Sequence, residues 1–349
     1  MSERRVNTIV PIDGRQFIHT IELHFSNRCS GNCVVCSRAH GGDNQALITK
    51  DTVDAIIDNL KDIDFNWLQV GGDGDSFLSS EFFPALRRFR EAFPKKGICL
   101  FSNGSMLTKE RADTIIAERL LDDIQTRIDS LNVQLYKQST GLNLATVIDN
   151  IKYFFLHNNF VRYHIIYFPL YAYRDTCMQR LDKEPTQWNR IDESLLSNEA
   201  RGMREYFKSL PRNSDMSDAL FNFRVSQICL WGEREDATSN LNATCTQLPE
   251  HKGCFRNQVY IYPDGSVGSC AYDDGQDTFI LGNIVKGDRL ADLWVSDKRE
   301  QFISDIRNGK YKGKYPCTNP DACKMFAHDP SIQYGDSYER VHTVTQPGR

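Results

Sequence analysis

The sequence predicts an α/β chain in which helices wind around a parallel sheet, with a small α+β segment following it. Three observations carry that reading. From about residue 17 to 228, strand-like alternation and helix-like periodicity take turns through six strands, the pattern of a parallel sheet, barrel-like or doubly wound. After residue 254 that rhythm gives way to a hairpin, a helix and a cysteine-bearing loop. At 349 residues the chain has length for one large domain and a small appendage.

The elements follow in order. "FIHTIELHF" alternates, with Ile21, Leu23 and Phe25 on one face and Glu22 and His24 on the other. "TKDTVDAIIDNLKDI" has apolar residues at helical spacing behind Thr49 or Asp51 as cap. "NWLQV" is a short buried-type strand, and "SSEFFPALRRFREAF" is its helix. "GICLFSN" is strand three. "TKERADTIIAERLL" is helix three, with Thr108 as N-cap and no capping box, because Arg111 stands three residues on. "DIQTRIDSL" and "NLATVIDNIKYFFLHN" form the fourth pair, and "VRYHIIYFPL" is strand five. A polar insertion near 171–192 precedes the helix "DESLLSNEARGMREYFKSL" and strand six, "LFNFRVSQICL". Residues 232–253 are polar and turn-rich, a linker. "NQVYIYPDGSVGSCAY" then turns at Pro263-Asp264-Gly265, and "LADLWVSDKREQFISDIRNG" is the last helix. From Ala327 the chain is a polar tail.

Composition narrows the function classes. The net charge of −4 gives no footing for nucleic acid. No apolar run approaches the length of a membrane span, and the start lacks the apolar core of a secretory signal. A cytoplasmic, reducing setting is therefore expected, in which the eleven cysteines serve metal or chemistry rather than disulfides.

Three thiols crowd the loop after strand one: Cys29, Cys33 and Cys36, spaced C-x3-C-x2-C. Structural zinc wants four ligands and a disulfide two. "CVVC" alone would match a thioredoxin-like pair, but leaves Cys29 unused. Thiolates are soft ligands suited to iron–sulfur clusters, and three of them on a [4Fe–4S] cluster leave one iron open.

This spacing, after strand one of a six-fold β/α pattern, resembles the radical S-adenosylmethionine (radical SAM) superfamily over about residues 17–231. The resemblance implies a partial (β/α)6 TIM-like barrel, and other motifs stand at the expected strand ends. "GGDGD" looks like the family's GGE segment: Gly71, Gly72 and Asp73 would hold the methionine amino group, with Asp73 in place of Glu and Gly74 where Pro is common. "SNG" looks like its TNG-type turn, with Ser102 and Asn103 as cofactor contacts. Arg127 and Asp129 lie where relatives contact ribose or carboxylate. Val35 stands where an aromatic residue often covers adenine, and Trp231 is a candidate substitute. The implied chemistry is reductive cleavage of S-adenosylmethionine (SAM) to a 5′-deoxyadenosyl radical, which takes a hydrogen atom from a C–H bond. An electron donor such as flavodoxin or ferredoxin would serve it.

Cys254, Cys270, Cys317 and Cys323 frame residues 254–326, the first pair as C-x10-G-x4-C. This resembles the SPASM/twitch extension of the same enzymes, and implies a small α+β domain with one auxiliary [4Fe–4S] cluster. A zinc site is the alternative, although zinc pairs favour C-x2-C. Cys229 and Cys245 could face substrate and return a hydrogen atom to it; Cys99 reads as core packing, and Cys177 suggests no role. The expected substrate is a small polar metabolite, such as an amino sugar or antibiotic intermediate, leading to oxidation or epimerisation. Strand one begins too early for an N-terminal peptide-docking domain, which turns the expectation away from peptides. The acidic run Glu233, Glu235 and Asp236 could receive a cationic group or simply face solvent. A peptide-modifying (RiPP-maturing) enzyme and a two-cluster electron carrier are the alternatives.

Overall fold

The computed structural model describes residues 16–33, 36, 46–72, 74–168, 193–214, 220–225, 258–269 and 280–307. Its strands are β1 (Gln16–Leu23), β2 (Ile63–Val70), β3 (Gly97–Ser102), β4 (Asp123–Ile128), β5 (Arg162–Tyr167) and β6 (Phe221–Val225), followed by β7 (Gln258–Ile261), β8 (Ser266–Gly268) and β9 (Ile280–Asn283). The helices are α1 (Lys50–Leu60), α2 (Phe82–Ala92), α3 (Lys109–Ala117), α4 (Val133–Thr140), α5 (Leu144–His157), α6 (Glu193–Ser209), α7 (Leu290–Trp294) and α8 (Asp297–Arg307). The nine strands form one sheet in the order β6-β5-β4-β3-β2-β1-β7-β8-β9, parallel from β6 to β7. This is the partial TIM-barrel-like α/β fold, six parallel strands with intervening helices and the cysteine loop beyond β1.

Local chemistry explains the helix starts. Thr49 caps α1 by accepting from the Thr52 N–H, and Thr108 caps α3 by accepting from the Arg111 N–H, each contact contributing about 1 kcal/mol. Val53, Ile56 and Leu60 then form the buried stripe of α1. The helix read over 290–309 is two helices, interrupted at Val295–Ser296, and the Ser296 hydroxyl accepts from the Arg299 N–H at 3.3 Å. Helix α4 is additional to the sequence reading. Asn132 caps it, and Gly141 ends it with φ +73°.

Two faces of the sheet divide the chemistry. Ile21, Leu23, Leu68, Val70, Ile98 and Leu100 are fully buried on the helix side. Because laterally paired residues share a face, Glu22, Gln69, Cys99 and Asp123 line up on the inner side, one pairing with the next. That inner surface is polar and buried: Glu22 is 7% exposed, His24 1% and His164 3%. Polar groups there need partners, and several pair with one another, although His164 Nδ1 has no partner among the described residues. His164 Nε2 meets Asp123 Oδ2 at 2.7 Å, and Gln125 Nε2 donates to Cys99 Sγ at 3.4 Å. Cys99 is therefore not plain apolar packing. Burial first and the neighbouring Asp123 second raise its thiol pKa well above the usual range.

The hairpin turns at Pro263-Asp264-Gly265 as expected, and its first strand extends the barrel sheet. β7 lies parallel to β1, and the His24 N–H continues the ladder to the Ile261 carbonyl at 2.9 Å. Among the described residues no helix is long and apolar enough to cross a membrane.

Candidate active site

The cysteine loop is anchored on three sides. Its Asn32 N–H donates to the Thr140 carbonyl at 2.8 Å, satisfying one of the orphan acceptors at the end of α4. On the β2 side, the Asp75 N–H donates to the Arg28 carbonyl at 2.7 Å. The Ser30 hydroxyl donates to Asp75 Oδ2 at 2.8 Å and also receives the Asn103 amide at 3.0 Å. Cys29, Cys33 and Cys36 are all partly buried, with no disulfide among them. Asn103 Nδ2 lies 3.7 Å from Cys29 Sγ, and the Gly31 N–H donates to the same sulfur at 3.5 Å. Burial pushes the Cys33 thiol up to about 12, with Arg127 pulling the other way and Asp129, Cys36 and Cys29 adding to the rise.

The turn after β2 passes tightly over β1. Gly71 donates its N–H to the Leu23 carbonyl at 3.0 Å. Gly72 has φ +152°, and a Cβ there would run into the His24 ring, 2.6 Å from Cε1 and 2.7 Å from Cδ2. At Gly74 any Cβ would strike the backbone carbonyls of Ser26 and Arg28. Proline carries a Cβ too, so the departure from the proline common at this position has a local cause.

Arg127 and Asp129 meet each other: Nε to Oδ1 at 2.6 Å and Nη2 to Oδ2 at 3.0 Å, a bidentate pair. The Asp129 side chain is wholly buried, and the guanidinium stacks on Phe168, 3.6 Å from the ring centroid. Asp129 thus orients Arg127.

The structure brings Cys29, Cys33, Cys36, Gly71, Gly72, Ser102, Asn103, Arg127 and Asp129 to the carboxyl ends of four adjacent parallel strands. Asp73, Val35, Trp231, Cys177, Cys229, Cys245, Cys254, Cys270, Cys317, Cys323 and the acidic run at 233–236 lie outside the described residues. Sequence reasoning left three parts of the site unassigned. Ser30 and Asp75 tie the cysteine loop to the next turn, Ser105 fixes Asn103, and the Glu22–His24 pair underlies Gly72. Asp75 was visible inside "GGDGD" and Ser30 inside "CSGNC"; nothing local marked Ser105.

The residues fit an iron–sulfur cluster with three cysteine ligands: soft donors on one loop, with N–H groups directed at one of the sulfurs. Among the described residues no three His, Cys, Asp or Glu side chains gather around a single ion. Thiolates sharing a cluster bind different irons and need not converge on one point.

Residues 23–173 match the family model of the radical SAM superfamily, and residues 254–324 match that of an iron–sulfur cluster-binding domain, SPASM. A curated relative, a probable GTP 3′,8-cyclase of Methanococcus aeolicus, is 25% identical over 133 residues, 37% of this chain and 44% of that protein. The match thus spans less than half the length of the relative. Among solved structures, native anSMEcpe with bound AdoMet gives a TM-score of 0.58 at 15% identity, covering 93% of this chain and 98% of that one. Streptococcus suis SuiB bound to its precursor peptide SuiA gives 0.55 at 18% identity, covering 82% and 67%. Such identities establish a shared fold.

Proposed function

Because the chain belongs to the radical SAM superfamily and carries a C-terminal SPASM-type iron–sulfur domain, we propose that it removes a hydrogen atom from a C–H bond of a small polar metabolite. An amino sugar or antibiotic intermediate is the favoured class, and oxidation or epimerisation the outcome. The observation that carries the reading is the meeting of three thiols, a glycine turn and a buried-carboxylate-oriented arginine at adjacent strand ends. When bound, the cluster and SAM supply a 5′-deoxyadenosyl radical. The family's cofactors are a SAM-binding [4Fe–4S] cluster and an auxiliary cluster. Cys29, Cys33 and Cys36 hold the first, and Cys254, Cys270, Cys317 and Cys323 the second.

The chain's own groups bind and orient. The Gly71–Gly72 turn and Asp73 receive the SAM amino group; Arg127, locked on Asp129, offers a fixed cation for the carboxylate. Ser102 and Asn103 close the third side, and Trp231 covers adenine. The polar inner face of the sheet, with Glu22, Gln69, Gln125 and Gln258, favours a polar over an apolar substrate. In an epimerisation Cys229 or Cys245 would return the hydrogen atom; for an oxidation, the auxiliary cluster that Cys254, Cys270, Cys317 and Cys323 would hold would supply an electron acceptor. The setting is cytoplasmic, with a flavodoxin or ferredoxin as donor. A peptide substrate is the second reading, favoured by the peptide complex of SuiB.

The test is anaerobic reconstitution of the full chain with reductant and SAM. 5′-Deoxyadenosine should form, and should vanish on replacing Cys33 by Ala. No cleavage by a fully loaded wild type would sink the proposal. Iron should reach about eight per chain and fall to about four after Cys254 and Cys270 are replaced.

A further inference from the structure

We propose that Asn103 sets the reduction potential of the SAM-binding cluster, by donating a hydrogen bond to the sulfur of Cys29. The inference rests on the reading of Cys29 as a cluster ligand.

The orientation of the Asn103 amide follows from its partners. The backbone N–H of Ser105 lies 2.9 Å from one amide atom, and its hydroxyl 2.7 Å from the same atom. A backbone N–H only donates, so the atom facing it is Oδ1. The amide nitrogen is therefore turned the other way, towards the cysteine loop. Its hydrogens face Ser30 Oγ at 3.0 Å and Cys29 Sγ at 3.7 Å, with the Asp75 carboxylate as a further neighbour. Ser30 keeps a lone pair for Asn103 because its own proton goes to Asp75 Oδ2 at 2.8 Å. Asp75 is itself fixed: it is 2% exposed, and its Oδ1 accepts from the Phe77 N–H at 3.2 Å. The chain Asp75–Ser30–Asn103 thus aims one N–H at a single sulfur. The Gly31 N–H, 3.5 Å from that sulfur, is a second donor from within the loop itself.

A donor aimed at a thiolate ligand stabilises the more negative, reduced state of a cluster more than the oxidised state, and so raises its potential. Removing the Asn103 donor therefore makes the cluster harder to reduce. A residue that only touched SAM would alter SAM affinity and leave the potential of the SAM-free cluster alone.

The experiment is a redox titration of the full reconstituted chain, followed by electron paramagnetic resonance in the absence of SAM. The spectral component that shifts when SAM is then added identifies the cluster in question. Asn103→Leu should lower its reduction equilibrium about tenfold, ~59 mV more negative for a one-electron couple. Asn103→Asp keeps the acceptor for the Ser105 N–H but puts negative charge beside the sulfur, so its shift should be larger in the same direction. The SAM-insensitive component of the auxiliary cluster should stay where it is. Unmoved midpoints in both variants at wild-type iron content would overturn the inference. So would loss of the cluster from both, since a tuning bond is not needed to hold iron. A wild type with no SAM-responsive component would instead refute the reading of the site itself.

Discussion

Replacing Gly72 by Ala puts one methyl group where the structure has none to spare. The backbone φ of +152° is one that L-residues rarely adopt, which costs about 1–3 kcal/mol. The new Cβ would lie 2.6 Å from His24 Cε1 and 2.7 Å from Cδ2, far inside van der Waals contact. The imidazole has little room to retreat. Its Nε2 is 3.0 Å from Glu22 Oε1, and the ring stands edge-on to Tyr262 with centroids 4.9 Å apart. Overpacking of this kind adds about 1–3 kcal/mol. The turn relieves both by moving away from β1, and with it move the groups proposed to receive the SAM amine. At the lower end, about 2 kcal/mol, SAM affinity falls about 30-fold.

Equilibrium dialysis of SAM against anaerobically reconstituted protein measures this directly. His24→Ala in the Gly72→Ala background removes the ring but not the φ, so it should recover about tenfold, a coupling of about 1–3 kcal/mol in a double-mutant cycle. Gly202→Ala is the control: it lies in α6 with nothing within 4 Å of a new Cβ, and should be neutral or stabilising by up to about 1 kcal/mol. Wild-type SAM affinity in Gly72→Ala would refute the steric argument. An unrescued double mutant would refute the part assigned to His24.

Cys33 carries a pH signature in the cluster-free protein. Its folded pKa of about 12 stands above the unfolded 9.0, chiefly through desolvation, so its share of stability is intact below about pH 9 and is lost as pH rises towards 12. Thermal midpoints should fall over that window, and Cys33→Ala should flatten the slope; equal slopes would contradict it. Arg127→Lys cannot keep the two-pronged contact with Asp129 or the stack on Phe168. SAM affinity should drop about tenfold by dialysis, and Arg127→Ala, leaving Asp129 buried and unpaired, should cost about 3 kcal/mol in urea unfolding. Glu22→Ala strands the donors of Gln69 and Gln258, 2.6 and 2.7 Å away. It should cost about 3 kcal/mol by the same measurement, against about 1–2 for Gln258→Ala.

What could be read from the sequence was what is decided locally. The caps Thr49 and Thr108 were legible because a cap involves only the next three residues. The thiol spacing was legible because three ligands fall within one loop. Helix α4 was not: in eight residues it buries Tyr136 but leaves Val133 62% exposed, so no apolar stripe announces it. The alternation of "FIHTIELHF" gave two faces but not their surroundings. A polar face usually means solvent, yet here Glu22 and His24 are buried against other polar strands. The pairing of Arg127 with Asp129 follows from the two-residue period of a strand, whereas the contact of Asn103 with Cys29 spans 74 positions and needs the fold.

The placement of β7 follows from the same polar face. An apolar edge on β1 could be covered by any apolar strand, but Glu22 needs donors from both sides. Gln69 on β2 supplies one, and Gln258 on β7 supplies the other. His24, two residues on, packs against Tyr260 and Tyr262 of the incoming hairpin while its ring supports Gly72. β1 is therefore the strand on which the cysteine loop, the glycine turn and the auxiliary hairpin all bear. A change in the seating of the hairpin reaches the glycine turn through one imidazole ring, with no loop or linker between them. That is why the double-mutant cycle at Gly72 and His24 also probes how firmly the auxiliary segment is joined to the barrel. If Tyr262→Ala weakens the His24–Gly72 coupling, Tyr262 holds the ring from the hairpin side; if the coupling is unchanged, Tyr262 does not hold it.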